Sequence, residues 1–133
     1  MYYVDTPTGG LDAFDFDAAS GTISNRRRIA TIDPGDGFPD GLAVDAEGAI
    51  WVALWEGWAV RRYAPDGELL AAVDVPAARV TKPAFGGPEL DRLYITTAAL
   101  GLSPRERDRQ PMAGGLFRCD AGVAGRPAHR FGG

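Results

Sequence analysis

One cysteine, Cys119, and one histidine, His129, occur in 133 residues. A lone thiol cannot build an internal disulfide framework. A lone imidazole, in a Gly/Pro-rich tail, excludes a histidine-based triad or a multi-histidine metal site within one chain. Cys119 lies in the run Leu116-Phe117-Arg118-Cys119 and reads as a core residue, not a nucleophile. No apolar run approaches membrane-spanning length and no charged-then-apolar leader opens the sequence, so the expectation is a soluble, cytoplasmic protein with no membrane partner. Charge of one sign is also scarce. The net charge is −4, acids and bases are interspersed, and the only basic cluster is Arg26-Arg27-Arg28. It has no interleaved aromatics, so it reads as a solvated strand end and no nucleic acid is expected. Asp12, Asp15 and Asp17 lack the third oxygen ligand, the glycine and the terminal glutamate of a calcium loop, and read as a solvated hairpin.

Glycine (18) and proline (10) are plentiful. They imply many turns and short strands and argue against long helices. Gly9-Gly10 and Gly86-Gly87-Pro88 are turn glycines, since no helix follows to make a phosphate cradle. At this length there is room for one domain with a modest core.

An internal repeat organises the chain. Three segments share an aromatic-bearing strand, a Gly-containing turn, a second strand ending in an aromatic, and an Asp/Gly turn. Tyr2 and Phe14 stand 12 positions apart, as do Trp51 and Tyr63; Tyr2, Trp51 and Tyr94 recur at intervals of 49 and 43. Periods of that size, filled with strands and turns, are the signature of propeller blades. The expected fold is all-β, a β-propeller of about three blades, half of a six-bladed ring. Blade one spans 1–33 and lacks its inner strand, its outer strand being 28–32. Blade two, 38–76, is complete: 41–45, 50–54, 59–63 and 68–75 are its strands A to D. Blade three spans 80–133, with strand A at 83–85, and lacks its outer strand. Three blades cannot close a ring. The expectation is a homodimer, or a missing N-terminal half.

The centre of the pattern is Gly37-Phe38-Pro39-Asp40-Gly41. Proline presets φ and glycine admits positive φ, so Asp40 is expected in a turn just ahead of strand A, at the mouth of the blade. An ordinary turn aspartate is the plain alternative. The turn from B to C lies at the same end, which brings Trp55 and Glu56 to this face as candidate substrate contacts. Packing between blades (Trp55) and an exposed turn (Glu56) are their plain alternatives. Residues 6–10 belong to the same face. So does the insertion 98–114, a candidate lid that lengthens the third B–C link to 23 positions, from Tyr94 to Phe117.

These motifs resemble the gluconolactonase/regucalcin (senescence marker protein) family. Beside Gly37-Phe38-Pro39-Asp40-Gly41, the resemblance rests on Ile50-Trp51-Val52-Ala53-Leu54-Trp55, Ile23-Ser24-Asn25-Arg26-Arg27, Phe85-Gly86-Gly87-Pro88, Leu93-Tyr94-Ile95-Thr96-Thr97 and Gln110-Pro111-Met112-Ala113-Gly114-Gly115-Leu116-Phe117. It runs from Met1 to about Phe131 and covers the C-terminal half of the family's chain. It implies a six-bladed propeller and a metal-dependent hydrolase that opens a sugar lactone to the aldonic acid. The implied cofactor is one divalent ion, calcium first, with zinc, magnesium or manganese as alternatives. Of the family's ligand set, a glutamate, an asparagine and the aspartate of Pro-Asp-Gly, only the aspartate carries over, onto Asp40, as metal ligand and possible general base. A non-catalytic propeller fragment or a regucalcin-like calcium-binding protein is the alternative reading.

Overall fold

The computed structural model describes residues 1–128; the single histidine, at 129, lies outside them. Three antiparallel sheets follow one another along the chain. The first holds β1 (Tyr2–Asp5), β2 (Gly10–Asp17) and β3 (Thr22–Thr31), in that order. The second holds β4 (Phe38–Val44), β5 (Ile50–Trp55), β6 (Ala59–Tyr63) and β7 (Leu69–Asp74). The third holds β8 (Val80–Gly86), β9 (Arg92–Thr97) and β10 (Leu116–Asp120), with β8 and β10 at its edges. The chain is an all-β fragment of a propeller, with four strands in the middle sheet and three in each outer one.

The burial of β5 explains its sequence. Successive residues of a strand face opposite sides. Ile50, Val52 and Leu54 pack with Leu11, Ile32 and Tyr63 toward the first sheet. Trp51 and Ala53 pack with Val60, Val80, Leu93 and Ile95 toward the third. Both faces of this strand are core, hence six consecutive apolar residues with no alternation.

Both inner strands begin earlier than expected, at Phe38 and not 41, and at Val80 and not 83. Each contains a proline, Pro39 or Pro83, which lacks an N–H and would break a central strand. Here β4 and β8 are edge strands, so the missing donor costs no ladder bond. The first sheet's outer strand likewise starts at Thr22, well before Arg28.

Asp15, Asp17 and the arginine triplet are exposed, as a solvated hairpin and strand end require, but Asp12 differs from its solvated reading. Asp12 is 0% exposed and takes Arg26 Nη2 at 2.6 Å and Arg28 Nε at 2.5 Å. Arg27 reaches Asp15 at 2.8 Å. Arg26 and Arg28, alternate residues of β3, both reach Asp12, a pairing visible only once the register is known. Cys119 is half-buried against the core, where burial pushes its thiol pKa up.

Two aspartates tie stability to pH. In Asp12 the bond from Arg28 holds the carboxyl below its ordinary 3.8. In Asp45 burial pushes upward, but bonds from Arg62, Trp51 and Ala49 outweigh it and the net shift is downward. A depressed folded pKa contributes stability above the unfolded value that is lost as pH falls toward the folded one. The unfolding midpoint in urea is therefore expected to hold from neutrality to about pH 5 and to drop below about pH 4. A midpoint unchanged between pH 5 and pH 3 would contradict these assignments.

Candidate functional site

The site is built at one end of the middle sheet. Along β4, Pro39 pairs with Leu54 and Leu42 with Val52, so three steps on β4 match two on β5. The extra residue is a β-bulge at Asp40-Gly41. Asp40 therefore sits inside the strand and not in a turn ahead of it, a correction to the sequence expectation. A bulge bends a strand locally and re-aims a side chain, and bulges are common beside active sites. Gly41 permits close approach of the neighbouring inner strand: a Cβ there would lie 2.7 Å from the Thr81 carbonyl oxygen.

Asp40 is half-buried, and no side-chain or backbone donor bonds its carboxylate closely enough to offset that burial. Burial pushes its pKa above the ordinary 3.8, while the charge of Lys82 and the Gly41 backbone act in the opposite direction. An acid with a raised folded pKa destabilises the fold as pH rises through that window. Asp40 is thus the reverse of Asp12 and Asp45, which are bonded and depressed.

Around Asp40 stand the loop of residues 6–9, the β5–β6 turn and, from the third sheet, strand β8. Thr6 Oγ1 donates to the Pro39 carbonyl at 2.7 Å, bringing the loop of residues 6–9 against the start of β4. Gly37 has φ +105, and a Cβ there would lie 2.7 Å from Gly57 Cα, so the approach to β4 is seated on the β5–β6 turn. In that turn Glu56 and Trp58 hold positive φ of 60 and 56, sparsely populated for residues with a Cβ.

Trp55 and Glu56 are both engaged with Arg79. Its guanidinium lies 5.1 Å from the Trp55 ring centroid, and its Nε donates to Glu56 Oε1 at 2.6 Å. Arg79 also donates to the Leu100 carbonyl, tying down the insertion 98–114. Within that insertion α1 (Pro104–Arg109) is closed by a Ser103/Glu106 capping box. Buried Gln110 Oε1 accepts from the Ala78 N–H at 2.8 Å. The expected lid is thus a segment bonded to the linker between the second and third sheets. Arg79 was missed in the sequence because its partners are 21 to 24 positions away in the chain.

Among the described residues, no group of three or more His, Cys, Asp or Glu side chains converges to hold a metal ion. Asp40 alone does not make a divalent-ion site, whose affinity depends on ligand number and charge. No helix of the described residues is long and apolar enough to cross a membrane.

Comparison with known proteins places this geometry. The family described as SMP-30/Gluconolactonase/LRE-like region matches residues 1–99. Regucalcin of Oryctolagus cuniculus is 40% identical over 135 residues, covering 100% of this chain and 45% of the relative. The solved structure of regucalcin from Agrobacterium tumefaciens str. C58, described as a calcium-binding protein, superposes with a TM-score of 0.88. It is 35% identical over 98% of this chain and 45% of its own. A gluconolactonase from Xanthomonas campestris superposes with a TM-score of 0.60 at 31% identity, over 71% of this chain and 30% of its own. The chain spans less than half the length of these relatives.

Proposed function

This chain belongs to the SMP-30/gluconolactonase/LRE-like family, and from that membership we propose that it forms the catalytic-aspartate half of a sugar lactone hydrolase. The reaction opens an aldonolactone to its aldonic acid. The observation that carries the reading is Asp40: a half-buried carboxylate with a raised pKa, on a bulge of an inner strand, with segments of all three sheets packed around that bulge. A carboxylate left without strong partners costs stability, and such groups cluster at functional sites.

The chemistry assigned to Asp40 is general-base catalysis. Asp40 accepts a proton from water as the water oxygen bonds to the lactone carbonyl carbon. The carbonyl π electrons move to oxygen. As the tetrahedral adduct collapses, the ring C–O bond breaks and the proton passes from Asp40 to the departing alkoxide. Trp55 and Glu56 are proposed to line the substrate face, held in place by Arg79. A divalent ion, with calcium first and zinc, magnesium or manganese as alternatives, would take Asp40 as one oxygen ligand. The described residues bring no set of further carboxylate, histidine or cysteine side chains beside it, and the ion would polarise the lactone carbonyl when bound.

A second reading is a non-catalytic fragment, which that single carboxylate favours, or a calcium-binding protein of the regucalcin kind, which the likeness to a calcium-binding regucalcin favours. Proton release from an aldonolactone, measured with chelator and then with each ion, separates the two. The hydrolase reading expects a rate above the buffer blank in at least one of these conditions. A rate equal to the blank in every condition supports the second reading.

The ring also needs more blades. Leu116, on the free edge strand β10, is 67% exposed, and Tyr3, on the outward side of β1, is also exposed. Such apolar surface favours association at about 25 cal/mol per Å² buried. Two copies would supply six whole or partial blades about a two-fold axis. Sedimentation at micromolar concentration is expected to show a dimer or larger species; a single stable species of 14.1 kDa would exclude this assembly.

A further inference from the structure

One charged side chain reaches from the inner strand of the third sheet to that of the second. Lys82, exposed on β8, donates from Nζ to the Leu42 carbonyl on β4 at 2.6 Å. Its stem lies over Gly41: a Cβ at that glycine would fall 2.9 Å from Lys82 Cδ and 3.0 Å from Lys82 Cβ. The side chain is thus fixed over the residue that follows Asp40. Lys82 makes no direct ion pair among the described residues. An ammonium has three donors, and the Leu42 bond uses one.

We propose that Lys82 is the fixed cation of the Asp40 site and that it opposes capture of a divalent metal ion there. The proposal rests on the reading of Asp40 as the functional carboxylate. A divalent ion on Asp40 would meet the field of the unit positive charge anchored beside Gly41 and Leu42, and that repulsion persists in part in wet surroundings. Metal affinity follows the negative charge that a site presents. One carboxylate beside one ammonium presents almost none. Such a pair instead suits a neutral, oxygen-rich ligand: the carboxylate accepts hydroxyl hydrogens and the ammonium donates to carbonyl or hydroxyl oxygen. Lys82 is accordingly a specificity-determining residue, selecting a polyhydroxylated neutral molecule over a cation.

The test is calorimetric titration of calcium alone, and of manganese alone, into the wild-type protein, Lys82→Met, Lys82→Arg, Asp40→Asn and the double variant Lys82→Met/Asp40→Asn. Lys82→Gln serves as a second neutral variant should Lys82→Met fail to fold. Removing the ammonium is expected to tighten binding on the order of tenfold. Lys82→Arg should keep the wild-type affinity, and adding Asp40→Asn to Lys82→Met should abolish the gain. Equal affinity in wild type and both neutral variants, with Asp40→Asn still weakening binding, would overturn the role of Lys82 and leave that of Asp40 standing. Equal affinity in Lys82→Met and the double variant, or no binding by either, would show that Lys82 guards no ion site at Asp40 and would overturn the proposal, while the hydrolase reading stands or falls on the lactone assay.

Discussion

Replacing Asp45 by alanine is expected to lower the unfolding free energy by about 3–5 kcal/mol, the largest loss for any single polar side chain in this chain. Asp45 is 0% exposed at the end of β4. Its Oδ1 accepts from the Ala49 N–H at 2.9 Å, and its Oδ2 accepts from Trp51 Nε1 at 2.9 Å and Arg62 Nε at 2.8 Å. One carboxylate thereby closes the β4–β5 turn, orients the largest core side chain, and neutralises a half-buried guanidinium. Arg62 also lies 5.8 Å from the Trp51 ring centroid and reaches Glu47 at 2.6 Å. Truncation would leave an indole N–H and a backbone N–H unpaired, each costing about 1–3 kcal/mol when buried. Arg62 would keep Glu47, which limits the loss. Native stabilities are typically about 5–15 kcal/mol, so the variant should sit near the edge of folding. Urea unfolding provides the measurement. A midpoint within error of wild type, at unchanged slope, would show that Asp45 is not the keystone of the middle sheet.

The repeat made the architecture readable. Aromatics at a 12-residue step within blades and turns between them sufficed for three sheets, because short antiparallel strands advertise themselves through local turn chemistry. The continuous apolar run of β5 marked the central strand for the same local reason. What stayed hidden depended on contacts between distant residues. Asp45 carried no local signal of its role, since Trp51 and Arg62 become its partners only when β4, β5 and β6 are in register. Asp12 looked solvated because the arginines that cover it come 14 and 16 positions later. Asp40 was expected in a turn just ahead of the inner strand and lies inside that strand, at its bulge. A proline inside a strand is unexpected until the strand is known to be an edge. Lys82 did leave a sequence signal, a single cation within Val80-Thr81-Lys82-Pro83-Ala84-Phe85, but the inner strand was drawn too short to include it.

Asp40→Asn is expected to reduce lactone opening at least about 100-fold, the usual scale for loss of a positioned general base. The amide keeps the shape of the side chain but cannot accept the proton from water. The same change should not weaken the fold, because Asp40 is a carboxylate that burial disfavours, and an uncharged isostere relieves that cost. Activity and stability are thus expected to move in opposite directions, the reverse of Asp45→Ala, where stability falls first. The wild-type rate should rise with pH through the raised pKa of Asp40, since the base must be ionised to act, and that limb should vanish in the amide variant. The most direct test is the blank-corrected initial rate of proton release from an aldonolactone, compared between wild type and Asp40→Asn at a temperature where both are fully folded. A fall of two orders of magnitude or more is the predicted result; equal rates in the two proteins would remove Asp40 from the chemistry and contradict the account at its centre.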